Sequence, residues 1–218
     1  MMELQHTVLL IALYAIPGIF AITLHEAAHG YAARHFGDLT AYHAGRITLN
    51  PIRHIDLMGT IVIPMLILIA SQGKFAFGWA KPVPVDFGRL RNPKRDMLWV
   101  AAAGPGANLL MAILWTFVIK AMQGVPPGYF SEPVILMAHG GIIINAVLMV
   151  LNLFPLPPLD GGRIAISLLP HQLAYRVARI EPFGMLILIV LMFLGVLNIV
   201  MLPFVNAFIA TLAAVFNI

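Results

Sequence analysis

Four apolar stretches, residues 7–31, 97–121, 133–154 and 183–202, decide what this chain can fold into. A helix crossing a bilayer needs roughly 20 predominantly apolar residues, and each stretch supplies them. Composition agrees. Of the 218 residues 61% are hydrophobic and 10% charged, against about half and about a quarter in a soluble domain. Too little polar surface remains to coat a water-soluble globule, which excludes a cytosolic domain, a disordered chain and a nucleic-acid binder. The net charge of +4 sits between apolar runs, where basic residues report topology. The expected fold is all-α: one membrane-embedded unit over 1–218, a polytopic helical bundle in the lipid bilayer. With Glu3 and no Lys or Arg in its flank, the first stretch reads as a span and not as a cleaved signal. Without cysteine there is no disulfide framework and no thiolate chemistry.

Two further apolar runs are short. Residues 57–70 number 14, which at 1.5 Å per residue reach about 21 Å, less than a hydrocarbon core of roughly 30 Å. The tail from 204 to 218 is similar and reads as a partial or full span. Arg34, Arg46 and Arg53 precede the short run, Arg89, Arg91, Lys94 and Arg95 follow it, and Arg163, Arg176 and Arg179 follow the third stretch. The positive-inside rule puts all three groups in the cytoplasm. Residues 57–85 must then enter and return, a re-entrant hairpin turning at Ser71-Gln72-Gly73-Lys74 with a short extended returning limb. Irregular backbone at that depth is tolerated only against protein or a wet cavity.

Within the first span stands His25-Glu26-Ala27-Ala28-His29. Histidines at i and i+4 share one helical face and can reach one zinc ion. Glu26 lies about 100° round the helix from His25, free to act as general base on metal-bound water. A polar cluster satisfied by neighbouring helices is the bland explanation, but three ionisable residues in five positions of a span are costly and mark a functional site.

A catalytic zinc takes three protein ligands. Glu132 and Glu181 lie at span edges, which leaves Asp160 as the candidate, just past the third span in the run Asn152 to Arg163. Read alone, that run is equally a membrane-exit turn with Asp160 as a helix cap. Topology discriminates: with the hairpin, His25, His29 and Asp160 share the cytoplasmic side, whereas a full crossing by 57–70 separates them beyond any metal bond.

These residues resemble the site-2 protease family of intramembrane zinc metalloproteases. The resemblance rests on the H-E-x-x-H helix at 25–29, the Asn152-x-x-Pro155 to Leu159-Asp160-Gly161 run, and Gly104-Pro105-Gly106-Ala107-Asn108 between them, in the family's order over roughly residues 7–170. It implies that one zinc is held by His25, His29 and Asp160, that Glu26 is the catalytic base, and that Asn152 helps hold the scissile carbonyl. The chain looks like the short, core-only type without a PDZ domain. The expected activity is hydrolysis of transmembrane protein or peptide substrates by zinc-activated water, in a multi-pass protein of a bacterial or archaeal cell membrane with its site toward the cytoplasm.

Three alternatives differ in class. A prenyl-protein-processing metalloprotease shares H-E-x-x-H but needs a downstream Glu ligand; a metal transporter needs ligands strung across the membrane; a silent relative keeps the fold without the activity. Weaker features stay open. Pro82 and Pro84 remove donors from one edge of an extended segment, which leaves either a one-sided edge for substrate strand addition or a stiffened connector. Asn108 and Asn145 read as interhelical hydrogen bonders and His139 as a packing or interfacial residue, while His54 and Asp56 are open to a part in supporting the metal ligands that nothing in the sequence demands.

Overall fold

The computed structural model describes residues 2–70 and 78–218, with side chains over 13–69 and 78–218. Its helices are α1 (Met2–His35), α2 (Thr40–His43), α3 (Ile63–Ala70), α4 (Pro93–Met122), α5 (Ser131–Asn152), α6 (Asp160–Leu168), α7 (His171–Ala178), α8 (Glu181–Phe193) and α9 (Val196–Phe216). No strand occurs among the described residues. The protein is all-α, and α4, α5 and α9 are long and apolar enough to cross a membrane.

Small residues set how closely these helices approach. Ala21 of α1, Ala112 of α4, and Ala138 and Ala146 of α5 are fully buried, so backbones pack with little side chain between them, as helices in lipid require. Gly141 of α5 faces the Trp115 indole so closely that a Cβ there would lie 2.5 Å from Nε1. Ala112, Ile119, Ala138, Ile142 and Leu212 then form one apolar core where α4, α5 and α9 meet. Large apolar side chains such as Leu110, Leu114 and Phe117 point outward instead, the pattern of a bundle whose solvent is as apolar as its core.

The apolar stretch 183–218 is divided differently from the expected span over 183–202. α8 ends at Phe193, Gly195 adopts a left-handed φ of 72°, and α9 starts at Val196. Only glycine takes that backbone cheaply, so the helix breaks there and the tail becomes part of a 21-residue helix. Leu188, Leu197 and Met201 pack across the break.

After α1 the chain runs out through a π-helical turn (Leu57–Val62) into α3 and comes back without regular secondary structure over 78–86. The two limbs lie side by side. Trp79 N–H donates to Gly59 O at 2.9 Å, Lys81 N–H to His54 O at 2.9 Å, and the Thr60 hydroxyl to Trp79 O at 2.9 Å. The expected turn at Ser71-Gln72-Gly73-Lys74 lies outside the described residues. The returning limb is tied to the end of α1, where the Asp38 carboxylate accepts Asp86 N–H at 2.8 Å.

Candidate metal centre

His25 and His29 project from one face of α1, one turn apart, with their Nε2 atoms 3.1 Å from each other. Asp160, the first residue of α6, brings its Oδ2 to 3.2 Å from His25 Nε2 and 3.3 Å from His29 Nε2. The carboxylate reaches that point because the chain after α5 folds tightly back. A Cβ on Gly161 would lie 2.3 Å from Leu153 O, and one on Gly162 would lie 2.2 Å from Pro157 N. No other residue type fits that pair of contacts.

The protonation pattern follows from the partners behind each ring. His29 Nδ1 lies 2.7 Å from Val100 O, and His25 Nδ1 lies 2.7 Å from Asn108 Oδ1. Both partners only accept, so both Nδ1 atoms carry the proton. With both rings neutral, as metal binding requires, the two Nε2 atoms present lone pairs to each other and to Asp160 Oδ2, which is buried and has no hydrogen-bond donor. Three electron-pair donors converging without a proton among them repel unless a cation lies between. Ligands about 2.0–2.1 Å from one tetrahedral ion are about 3.3–3.4 Å apart, close to the spacings seen. Gly104 of α4 makes room for the rings: a Cβ there would lie 2.4 Å from His29 Nε2 and 2.6 Å from His25 Nε2. The donor set fits a zinc ion.

A cavity of about 470 Å³ opens beside these residues, lined also by Glu26, Trp79, Val83 and Asn152. Glu26 is half-buried, one residue along α1 from His25, and its Oε2 accepts the Val83 N–H at 2.7 Å. Asn152 closes α5 and spends one N–H of its carboxamide on Leu148 O at 3.0 Å, which leaves a second N–H. His25, Glu26, His29, Asp160 and Asn152 are thus all brought to one cavity.

The sequence matches known proteins over most of its length. A protein of Bacillus subtilis (strain 168) named "Putative zinc metalloprotease YwhC" is 38% identical over 196 residues, covering 87% of this chain and 84% of its own. The chain belongs to the site-2 protease family of zinc metalloproteases. Two mycobacterial proteins named "Putative zinc metalloprotease Rip2" are 29% identical over 83% of this chain and 66% of theirs, one from Mycolicibacterium smegmatis and one from Mycobacterium tuberculosis (strain ATCC 25618 / H37Rv). No family model and no solved structure matches the chain.

Other residues of this site-2 protease relative fall elsewhere. His54 is buried with Nε2 on Thr48 O at 2.9 Å, Asp56 accepts Gly59 N–H at 2.6 Å, and His139 is exposed on α5. The edge beside Pro82 and Pro84 is already engaged by the protein itself, since Lys81 N–H goes to His54 O and Val83 N–H to Glu26. Sequence reasoning named Gly104 and Asn108 without placing them behind the histidines, and it missed the Val100 carbonyl. The signal was present in their spacing. Positions 100, 104 and 108 recur every four residues and form one face of α4.

Proposed function

We propose that the protein hydrolyses peptide bonds of transmembrane proteins or peptides within the lipid bilayer, with one zinc ion held by His25, His29 and Asp160. The observation that carries this reading is the convergence of three buried ligand atoms, from His25, His29 and Asp160, beside Glu26 in a cavity of an apolar helical bundle. Zinc, when bound there, supplies Lewis acidity that lowers the pKa of water to near 7 and polarises a carbonyl.

The chain's own residues do the rest. Glu26 takes a proton from the attacking water on its free oxygen and later gives it to the leaving amine. Asn152 donates its second N–H to the oxygen of the scissile carbonyl as negative charge develops. A helical substrate must unwind first, because its peptide groups are hydrogen-bonded within the helix. The placement of Arg34–Arg53, Arg89–Arg95 and Arg163–Arg179 supports a site facing the cytoplasm, in a bacterial or archaeal cell membrane, with no part for nucleic acid.

The test is purified protein in liposomes with a synthetic transmembrane peptide, products read by mass spectrometry. Cleavage should stop with a chelator and return with zinc. An intact peptide beside a fully zinc-loaded protein would overturn the protease reading, and zinc flux across the same vesicles would point to a transporter instead.

A further inference from the structure

Asn108 of α4 and Asn145 of α5 are fully buried, and their hydrogen bonds have a direction fixed from one end. Gly141 O is a backbone carbonyl and can only accept, so the Asn145 amide turns its nitrogen to it, at 2.8 Å. The Asn145 oxygen then faces Asn108 and accepts the Asn108 nitrogen at 2.9 Å. A second carbonyl, Ala21 O of α1, holds that same nitrogen at 3.3 Å. Both contacts force the Asn108 oxygen toward His25, where it accepts the Nδ1 proton at 2.7 Å. A flip of either amide would set oxygen against oxygen in a buried site and leave donors and acceptors unmet.

We propose that Asn145 and Asn108 are positioning residues that form a one-way amide relay, locking His25 in the Nδ1-protonated tautomer so that Nε2 keeps its lone pair for the metal. The relay rests on the zinc reading above. It gives the two histidines different support: His29 is fixed by a main-chain carbonyl that no side-chain change removes, and His25 by side chains of two other helices. Metal affinity is thereby linked to the packing of α1 against both α4 and α5. Partners that orient a metal-bound histidine in this way typically hold a 10–100-fold share of metal affinity.

The experiment measures zinc affinity by chelator competition and histidine tautomers by 15N NMR of the metal-free protein. Asn108→Leu should weaken zinc 10–100-fold and leave His25 a mixture of tautomers while His29 stays Nδ1-protonated. Asn108→Asp keeps the acceptor for His25 but loses the donors to Asn145 and Ala21. It should lower the melting temperature yet hold zinc within a few-fold of the parent, and this split decides the matter even where the Leu variant does not fold. Asn145→Val, which leaves Ala21 O to orient Asn108, should weaken zinc less than Asn108→Leu. Unchanged zinc affinity in folded Asn108→Leu, or lost affinity in folded Asn108→Asp, would overturn the relay. A parent protein that binds no zinc would overturn the metal reading itself.

Discussion

Val83, set between two prolines that have no N–H to give, donates its own to Oε2 of Glu26 at 2.7 Å. The bond spans 57 residues of sequence and leaves Oε1 as the oxygen available to take a proton. Arg46 holds the same segment by donating to Lys81 O at 2.9 Å, so the amide is delivered from an anchored backbone.

Val83→Pro removes the donor from a segment that already accommodates proline on both sides. A hydrogen bond to a charged group contributes about 1.5–3 kcal/mol, so the freed carboxylate should cost turnover about tenfold or more while zinc content stays near one per chain. Cleavage and metal content on one preparation check it; undiminished cleavage would make the contact incidental.

Gly104→Ala pushes a methyl group into the two imidazoles, 2.4 Å from His29 Nε2. Overpacking of this kind costs about 1–3 kcal/mol, and here the strain falls on the ligands. Zinc content should drop sharply with the helical circular-dichroism signal unchanged. A zinc-loaded Gly104→Ala protein would mean the rings sit further from α4 than described.

Asn152→Ala should leave zinc and melting temperature nearly intact and cut turnover about 10²–10³-fold, the loss expected for one oxyanion donor. Asn152→Asp should be worse, since a negative charge opposes the developing one. A destabilised, metal-poor Asn152→Ala would move this residue from the catalytic list to the structural one.

Asp38 links the end of α1 to the returning limb. Burial alone would raise its pKa, but hydrogen bonds from the Thr40 hydroxyl and N–H and from Asp86 N–H, with Arg89 nearby, hold it below the usual carboxylate range. A depressed folded-state pKa gives stability that is present above the unfolded value, about 3.9, and is lost as pH falls through the folded one. The melting-temperature gap between parent and Asp38→Asn should therefore be constant from pH 7 to 5 and shrink in stronger acid. A gap that widens in acid would contradict the assignment.

How much of this was legible in the sequence depends on the range of the interaction. The His25–His29 pair is local, fixed by helical period, and needs no tertiary information. Asp160 required one topological step, because charge placement had to bring residue 160 back to the face of residue 25. The segment 183–218 misled because its apolar residues run on through Gly195, and hydropathy does not register a left-handed turn inside an apolar run. Asn108 read correctly as an interhelical hydrogen bonder, yet its partner on α1 is set by helix rotation, which spacing on one helix does not reveal. The Val83 amide was least legible of all, since backbone donors carry no side-chain signature.

The most direct test of the account is Glu26→Gln, with zinc content and cleavage of a synthetic transmembrane peptide measured on the same liposome preparation. The amide keeps the shape of the carboxylate but cannot accept a proton, and general-base assistance is worth roughly 10²–10⁴-fold. The account predicts a protein that holds one zinc ion and cleaves at least a hundredfold more slowly. Cleavage near the parent rate with zinc bound would contradict it.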